Sequence, residues 1–267
     1  MDKAACAHVP EPAVAVERVD GLSPIVLICD HASNHLPACY GDLGLTANDL
    51  LQHFAWDPGA LALSRQLSDA LDAALVRGRI SRLVFDVNRR PSDFDAIVET
   101  ADGRIVPGNA KLSPEERERR VSEVYEPYHA AIEDLLARRA ARGRPSALVA
   151  IHTFAPSLRG LDRPWHCGVI FASDCRLGEP LVRALKAEAG LVVGVNEPYA
   201  PSDGVYHTMA RHGDDRGNPA VMIEVRNDLV ASEAGKEAWA ERLVALLRQA
   251  AQAILESEGP QRPRAAI

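Results

Sequence analysis

Four short apolar runs in this chain end abruptly in polar chemistry: residues 25–31 (IVLICDH), 83–89 (LVFDVNR), 148–152 (LVAIH) and 221–226 (VMIEVR). Runs of this length, rich in Val, Ile and Leu, read as strands buried on both faces of a sheet. Residues 58–76 instead repeat on a helical period up to Gly78, and Thr46 with Asp49 marks another helix start. The longest predicted helix spans 114–141: Ser113 caps it, Pro114 takes the first turn, Glu116 completes a capping box and Gly143 ends it. Further strands are predicted at 147–151, 167–171, 191–195 and 220–225, with helices at 177–189 and 236–256. Alternation of this kind implies a mainly parallel sheet covered by helices on both faces, an α/β fold in one domain over 1–267. Segments 1–23 and 258–267 lack clear periodicity and read as peripheral tails. Two long irregular stretches, 88–112 and 196–218, read as walls of a site.

The runs matter because of what they carry. In open α/β sheets, ligands bind outside the carboxyl ends of the strands, and here those ends bring His31, His152 and Glu224 together with Asn88 and Arg89. A neutral imidazole is a preferred nitrogen ligand of zinc, and catalytic zinc typically has three protein ligands. His31 and His152 are therefore candidate metal ligands. Asp57, just before a helix, is the best candidate for the third, with Asp30 and Asn34 as alternatives; a simple helix cap is the plainer role for Asp57. Glu224 sits in an apolar strand, where a carboxylate is costly unless paired or working. It is the candidate general base, against the plainer reading of an ion pair with Arg226. Arg82, Asn88 and Arg89 are candidates for holding a substrate carboxylate, since guanidinium matches it with a planar donor fork; Arg90 and Arg163 are further possibilities. His207 and His212 fall in the second long loop, where a solvated histidine is the ordinary finding. Cys29 lies inside an apolar run and reads as an inert thiol rather than a nucleophile.

A formal charge of −7 argues against nucleic-acid or anionic-membrane partners, and no apolar run approaches the roughly 20 residues that span a bilayer. The five cysteines, Cys6, Cys29, Cys39, Cys167 and Cys175, are odd in number and form no CxxC pair. That favours a reduced, cytoplasmic protein over a disulfide framework. No GxSxG, P-loop or GxGxxG string is present, which removes support for serine hydrolase, P-loop and dinucleotide chemistry. A monomer or small homo-oligomer acting on a small anionic substrate is the expectation.

Read together, the strings CDHASNHLP (29–37), HFAWDPGA (53–60), SRLVFDVNRRP (81–91), PGN (107–109), PYHAAI (127–132), IHTFAP (151–156), RPWHCGVI (163–170), NEPY (196–199), RHG (211–213) and IEVRNDL (223–229) resemble the N-formylglutamate amidohydrolase family. The resemblance covers about 22–248. It implies a three-layer α/β/α fold distantly similar to zinc carboxypeptidases, with a central, mainly parallel mixed sheet. It also implies hydrolysis of an N-acyl acidic amino acid such as N-formyl-L-glutamate with one divalent metal ion, by preference zinc. On that pattern His31 and His152 are ligands, Asn88 and Arg89 clamp a carboxylate, and Glu224 is the base. Asn34 stands where the carboxypeptidase pattern has a ligand Glu, which leaves the second ligand open. The rival expectations are a zinc peptidase or amidase on a peptide-like substrate, and a non-catalytic acidic-ligand binding protein.

Overall fold

The computed structural model describes residues 12–257; residues 1–11 of the first predicted tail and all of the second lie outside the described residues. Seven strands make one mixed sheet: β1 (Val14–Glu17), β2 (Ile25–Cys29), β3 (Ala74–Gly78), β4 (Ala147–Phe154), β5 (Cys167–Ile170), β6 (Val193–Val195) and β7 (Ala220–Arg226). Their order across the sheet is β1-β3-β2-β4-β7-β5-β6. β1 runs antiparallel to β3, and β7 antiparallel to β5; the other neighbouring pairs are parallel. The helices are α1 (Ala60–Leu71), α2 (Pro114–Arg120), α3 (Glu126–Ala141), α4 (Gly178–Lys186), α5 (His207–His212) and α6 (Glu233–Ser257).

Alternation along the strands splits the core into two layers, giving the α/β/α arrangement. Ile25, Leu27, Ile151 and Ile223 pack with Leu63 and Leu67 of α1, Leu181 of α4 and Leu243 of α6. Val26, Ile28, Ala150 and Met222 face the other way, onto Tyr128 and Ile132 of α3 and Met209 of α5. Adjacent central strands β2 and β4 continue in opposite directions across the sheet, one toward β3 and the other toward β5. That switch point opens a crevice at their carboxyl ends. No helix among the described residues is long and apolar enough to cross a membrane.

Three expectations need correction. The run at 83–89 is buried but forms no strand. Its carbonyls are met by side chains: Leu83 by Asn109, Val84 by Arg120 and Val87 by His129. With its acceptors satisfied this way, the segment has no need of a sheet neighbour. The strand lies earlier, at β3, inside what the periodicity assigns to one helix over 58–76. Asp72 turns left-handed (φ 51°) and closes α1, and the all-apolar stretch after it pairs with β2. Finally, part of the 1–23 tail is structural, because β1 forms the sheet edge.

Other signals hold locally. Ser113 Oγ accepts from Glu116 N–H, capping α2, although the Glu116 carboxylate pairs with Arg119 and Arg120. A π-helical turn, Val121–Tyr125, joins α2 to α3. Thr46 and Asp49 exchange bonds, but only a 3-10 turn follows. The loop 196–218 includes α5.

The edge strand is fastened by charge. Glu17 accepts from Arg65 of α1 and from Arg77 of β3. The bond to Arg65 outweighs burial and, with Arg77, lowers the Glu17 pKa to about 2. A carboxylate depressed in this way stabilises the fold above its unfolded pKa and loses that contribution as pH falls through the folded value. Glu17→Gln is therefore expected to cost about 1 kcal/mol at neutral pH, partly screened because the group is half-buried at the sheet edge, and progressively less as pH drops from 4.5 toward 2. Urea denaturation of both proteins at pH 7 and pH 3 checks this; a pH-independent difference would contradict it.

Candidate active site

His31 stands two residues past the end of β2, His152 lies near the carboxyl end of β4, and Asp57 precedes α1. All three are buried, and one ligand atom from each lies within 4.8 Å of the others. Asp57 Oδ2 is 2.9 Å from His152 Nδ1 and 3.4 Å from His31 Nδ1. The outer nitrogens are held by carboxylates: His31 Nε2 by Asp86 Oδ1 at 2.7 Å, and His152 Nε2 by Asp30 Oδ2 at 2.9 Å. Asp30 in turn accepts from Tyr128 Oη and Thr208 Oγ1. Asp57 does not cap α1: Gly59 occupies the cap position, with φ of 88° and no room for a Cβ against Val230. Its carboxylate instead meets His152, Arg82 and the Thr153 amide.

The electrostatics follow from this packing. Burial alone would lower the His152 pKa, but bonds to Asp30 and Asp57 outweigh it and hold the imidazole well above its ordinary range. Burial likewise opposes ionisation of Asp57 and Asp86, yet His31 beside the first and Arg82 beside the second keep both well below the usual carboxylate range. Glu224 is different. It stands opposite His152 in the β4–β7 register, it is buried, and its Oε2 has no partner. Burial raises its pKa to about 7 against the pull of His152. The plainer role, an ion pair with Arg226, does not occur, because Arg226 pairs with Asp228 at 2.8 Å.

These groups line a cavity of about 120 Å³ together with His53, Arg82, Asn88, Arg89, Tyr199 and Val205. Arg82 spans Asp86 at 2.7 Å and Asp57 at 3.4 Å. Arg89 pairs with Asp95 and donates to the Gly204 carbonyl; its Nη2 has no acceptor among the described residues. Asn88 lies on the wall, but its amide joins the 205–208 backbone, donating to Val205 O and accepting from Thr208 N–H. Asn34 donates to the Leu50 carbonyl, outside the cluster. Arg90 is exposed and lies outside the cavity lining.

Three residues escaped the sequence reading: Asp86, His53 and Tyr199. Asp86 carried the signal that marks Glu224, a carboxylate inside an apolar run. His207 and His212 are not solvated loop histidines. His212 is fully buried and stacks on His129, with 2.7 Å between their nitrogens. Burial lowers both pKa values to about 3. Cys29 is sealed in the core, which pushes its thiol far above ordinary values and removes it as a nucleophile.

The donor set suits a divalent ion. Zinc bonds of about 2.0–2.1 Å in tetrahedral geometry space ligand atoms about 3.4 Å apart; Asp57 Oδ2 stands 3.4 Å from His31 Nδ1 and 2.9 Å from His152 Nδ1. His31 Nδ1 is buried and makes no hydrogen bond. Both imidazoles have a carboxylate behind the outer nitrogen, the arrangement that orients metal-binding histidines.

The model of the N-formylglutamate amidohydrolase family matches residues 23–231. A gene product of Agrobacterium tumefaciens of known crystal structure is similar, at 40% identity and a TM-score of 0.89, over 92% of this chain and 97% of that one. The crystal structure of N-formylglutamate amidohydrolase from Ralstonia eutropha superposes with a TM-score of 0.70 at 19% identity, over 92% of this chain and all of that one, a likeness of fold. No curated protein matches the chain. The buried polar cluster thus stands at the switch point of a fold shared with these proteins, and the chain belongs to the N-formylglutamate amidohydrolase family, hydrolases acting on an amide bond.

Proposed function

We propose that the protein is a metal-dependent amidohydrolase that cleaves N-formyl-L-glutamate, or a close N-acyl acidic amino acid, to the carboxylic acid and the free amino acid. The observation that carries this reading is the unpartnered Glu224 Oε2 beside the His31–Asp57–His152 cluster, in one small cavity with arginines on its wall. Those three residues would hold the ion, which when bound would supply Lewis acidity at the scissile carbonyl and acidify water. Arg89, with Arg82 behind it, holds the amino-acid carboxylate and so fixes the amide at the cluster. Glu224 takes a proton from the attacking water and delivers it to the departing nitrogen. The C–N bond breaks, one water is consumed, and formate and glutamate leave. A pKa near 7 suits a group that must accept and then return a proton.

A cavity of about 120 Å³ favours a small acid over a peptide laid in a groove. Asp57 within the cluster favours catalysis over the binding-protein reading, which required a lost ligand. The test is formate release from N-formyl-L-glutamate by the purified protein, abolished by a chelator and restored by zinc. Zinc-replete protein that releases no formate would overturn the proposal.

A further inference from the structure

Among the buried arginines one is unlike the rest. Arg120 meets Glu116, Asn109 and the Val84 carbonyl. Arg139 meets Ser146 and the carbonyls of Gly21, Ser23 and Pro145. Arg163 is 8% exposed, yet no carboxylate or carbonyl accepts from its guanidinium among the described residues. Its side chain has one acceptor there, the Tyr199 hydroxyl at 3.0 Å from Nη1. The guanidinium lies 4.8 Å from the Tyr199 ring centroid and 5.8 Å from that of Phe154, at the end of β4. A buried cation without a counter-charge is costly, and folds rarely keep one idle.

The place of Tyr199 gives the missing anion an address. Tyr199 lines the catalytic cavity with Glu224 and Arg82. Because its oxygen accepts from Arg163, its own O–H is left to donate. Arg163 is not itself part of the cavity lining and stands against Tyr199, which is; the phenol O–H and the remaining guanidinium N–H groups would together make a donor pair for one carboxylate, separate from Arg89, whose free Nη2 serves the other.

We propose that Arg163, together with Tyr199, binds the side-chain carboxylate of a dicarboxylic N-acyl amino acid and so determines the preference for an acidic substrate. This rests on the reading that the cavity hydrolyses N-acyl amino acids. The backbone of Arg163 is held independently: its N–H donates to Pro156 O, and its carbonyl accepts from Arg226. Loss of the side chain therefore leaves the loop anchored.

The experiment compares N-formyl-L-glutamate with N-formyl-L-glutamine, which differ only in that carboxylate, on the wild type, Arg163→Met, Arg163→Lys and Tyr199→Phe. Charge-assisted hydrogen bonds of this kind are worth about 10²-fold together. Arg163→Met is expected to lower kcat/KM for the glutamate substrate by about that factor, chiefly through KM, while the glutamine substrate changes by a few-fold at most. Arg163→Lys should restore part of the preference. Equal losses on both substrates, or no loss on either, would overturn the assignment. Calorimetric binding of L-glutamate against L-glutamine to the same variants reads the subsite without turnover. A wild type that prefers glutamate in binding but cleaves neither substrate would sink the hydrolytic reading and spare this one. Equal binding of the two by the wild type would sink this one alone.

Discussion

Glu224→Gln is expected to lower kcat for formate release by about 10²–10⁴, the ordinary worth of general acid–base catalysis, with KM nearly unchanged. Gln keeps the shape of the side chain and cannot accept and return the proton. The substitution is clean for a structural reason. Glu224 Oε2 makes no hydrogen bond in the protein, so the exchange breaks no bond at that atom and removes a carboxylate whose charged form burial disfavours. Melting temperature should therefore hold or rise slightly, and metal content should stay at the wild-type value. The measurement is steady-state kinetics beside elemental analysis and thermal denaturation. Full turnover in the variant would sink the assigned role, and a loss of bound metal would make Glu224 a ligand instead.

The second large effect concerns the cluster itself. His31→Ala and His152→Ala should each abolish retention of zinc, read as metal per chain after dialysis, because two remaining ligands do not hold the ion. The two variants should differ in stability. His152 lies between Asp30 and Asp57, with 2.9 Å to each, so removing it leaves two buried carboxylates facing a gap. Breaking a buried charged pair from one side costs about 3–5 kcal/mol. After His31 is removed, Asp86 still has Arg82 at 2.7 Å and Asp57 still has His152, so the cost should be smaller. Urea denaturation of both variants tests the order; equal stabilities would mean that Asp30 and Asp57 find other partners, and zinc retained by either variant would remove that histidine from the ligand set.

Three of the buried strands announced themselves in the sequence as apolar runs, at 25–28, 148–151 and 221–225. The same rule failed at 83–89. Periodicity registers burial, and burial there is real, but hydrogen-bonding partners decide whether a buried run is a strand. Asn109, Arg120 and His129 come from elsewhere in the chain to supply them. The helix predicted over 58–76 forms as α1 (Ala60–Leu71) but overruns at its end: an apolar stretch continues past Asp72, and pairing with β2 makes residues from Ala74 onward strand β3 instead.

By itself the sequence determined the α/β class, the carboxyl-edge position of the polar residues, and the unusual burial of a glutamate in an apolar strand, because these follow from local pattern. The tertiary structure alone decided which carboxylate joins the histidines. Asp30, Asn34 and Asp57 are all close to a candidate ligand or helix in the chain, but Asp30 is turned behind His152, Asn34 toward Leu50, and Asp57 into the gap between the imidazoles. It also decided that Arg163, in the sequence only a further possibility for an anion contact beside Arg90, is buried without a counter-ion beside the cavity. Such facts depend on contacts between residues far apart in the chain, and no local pattern carries them.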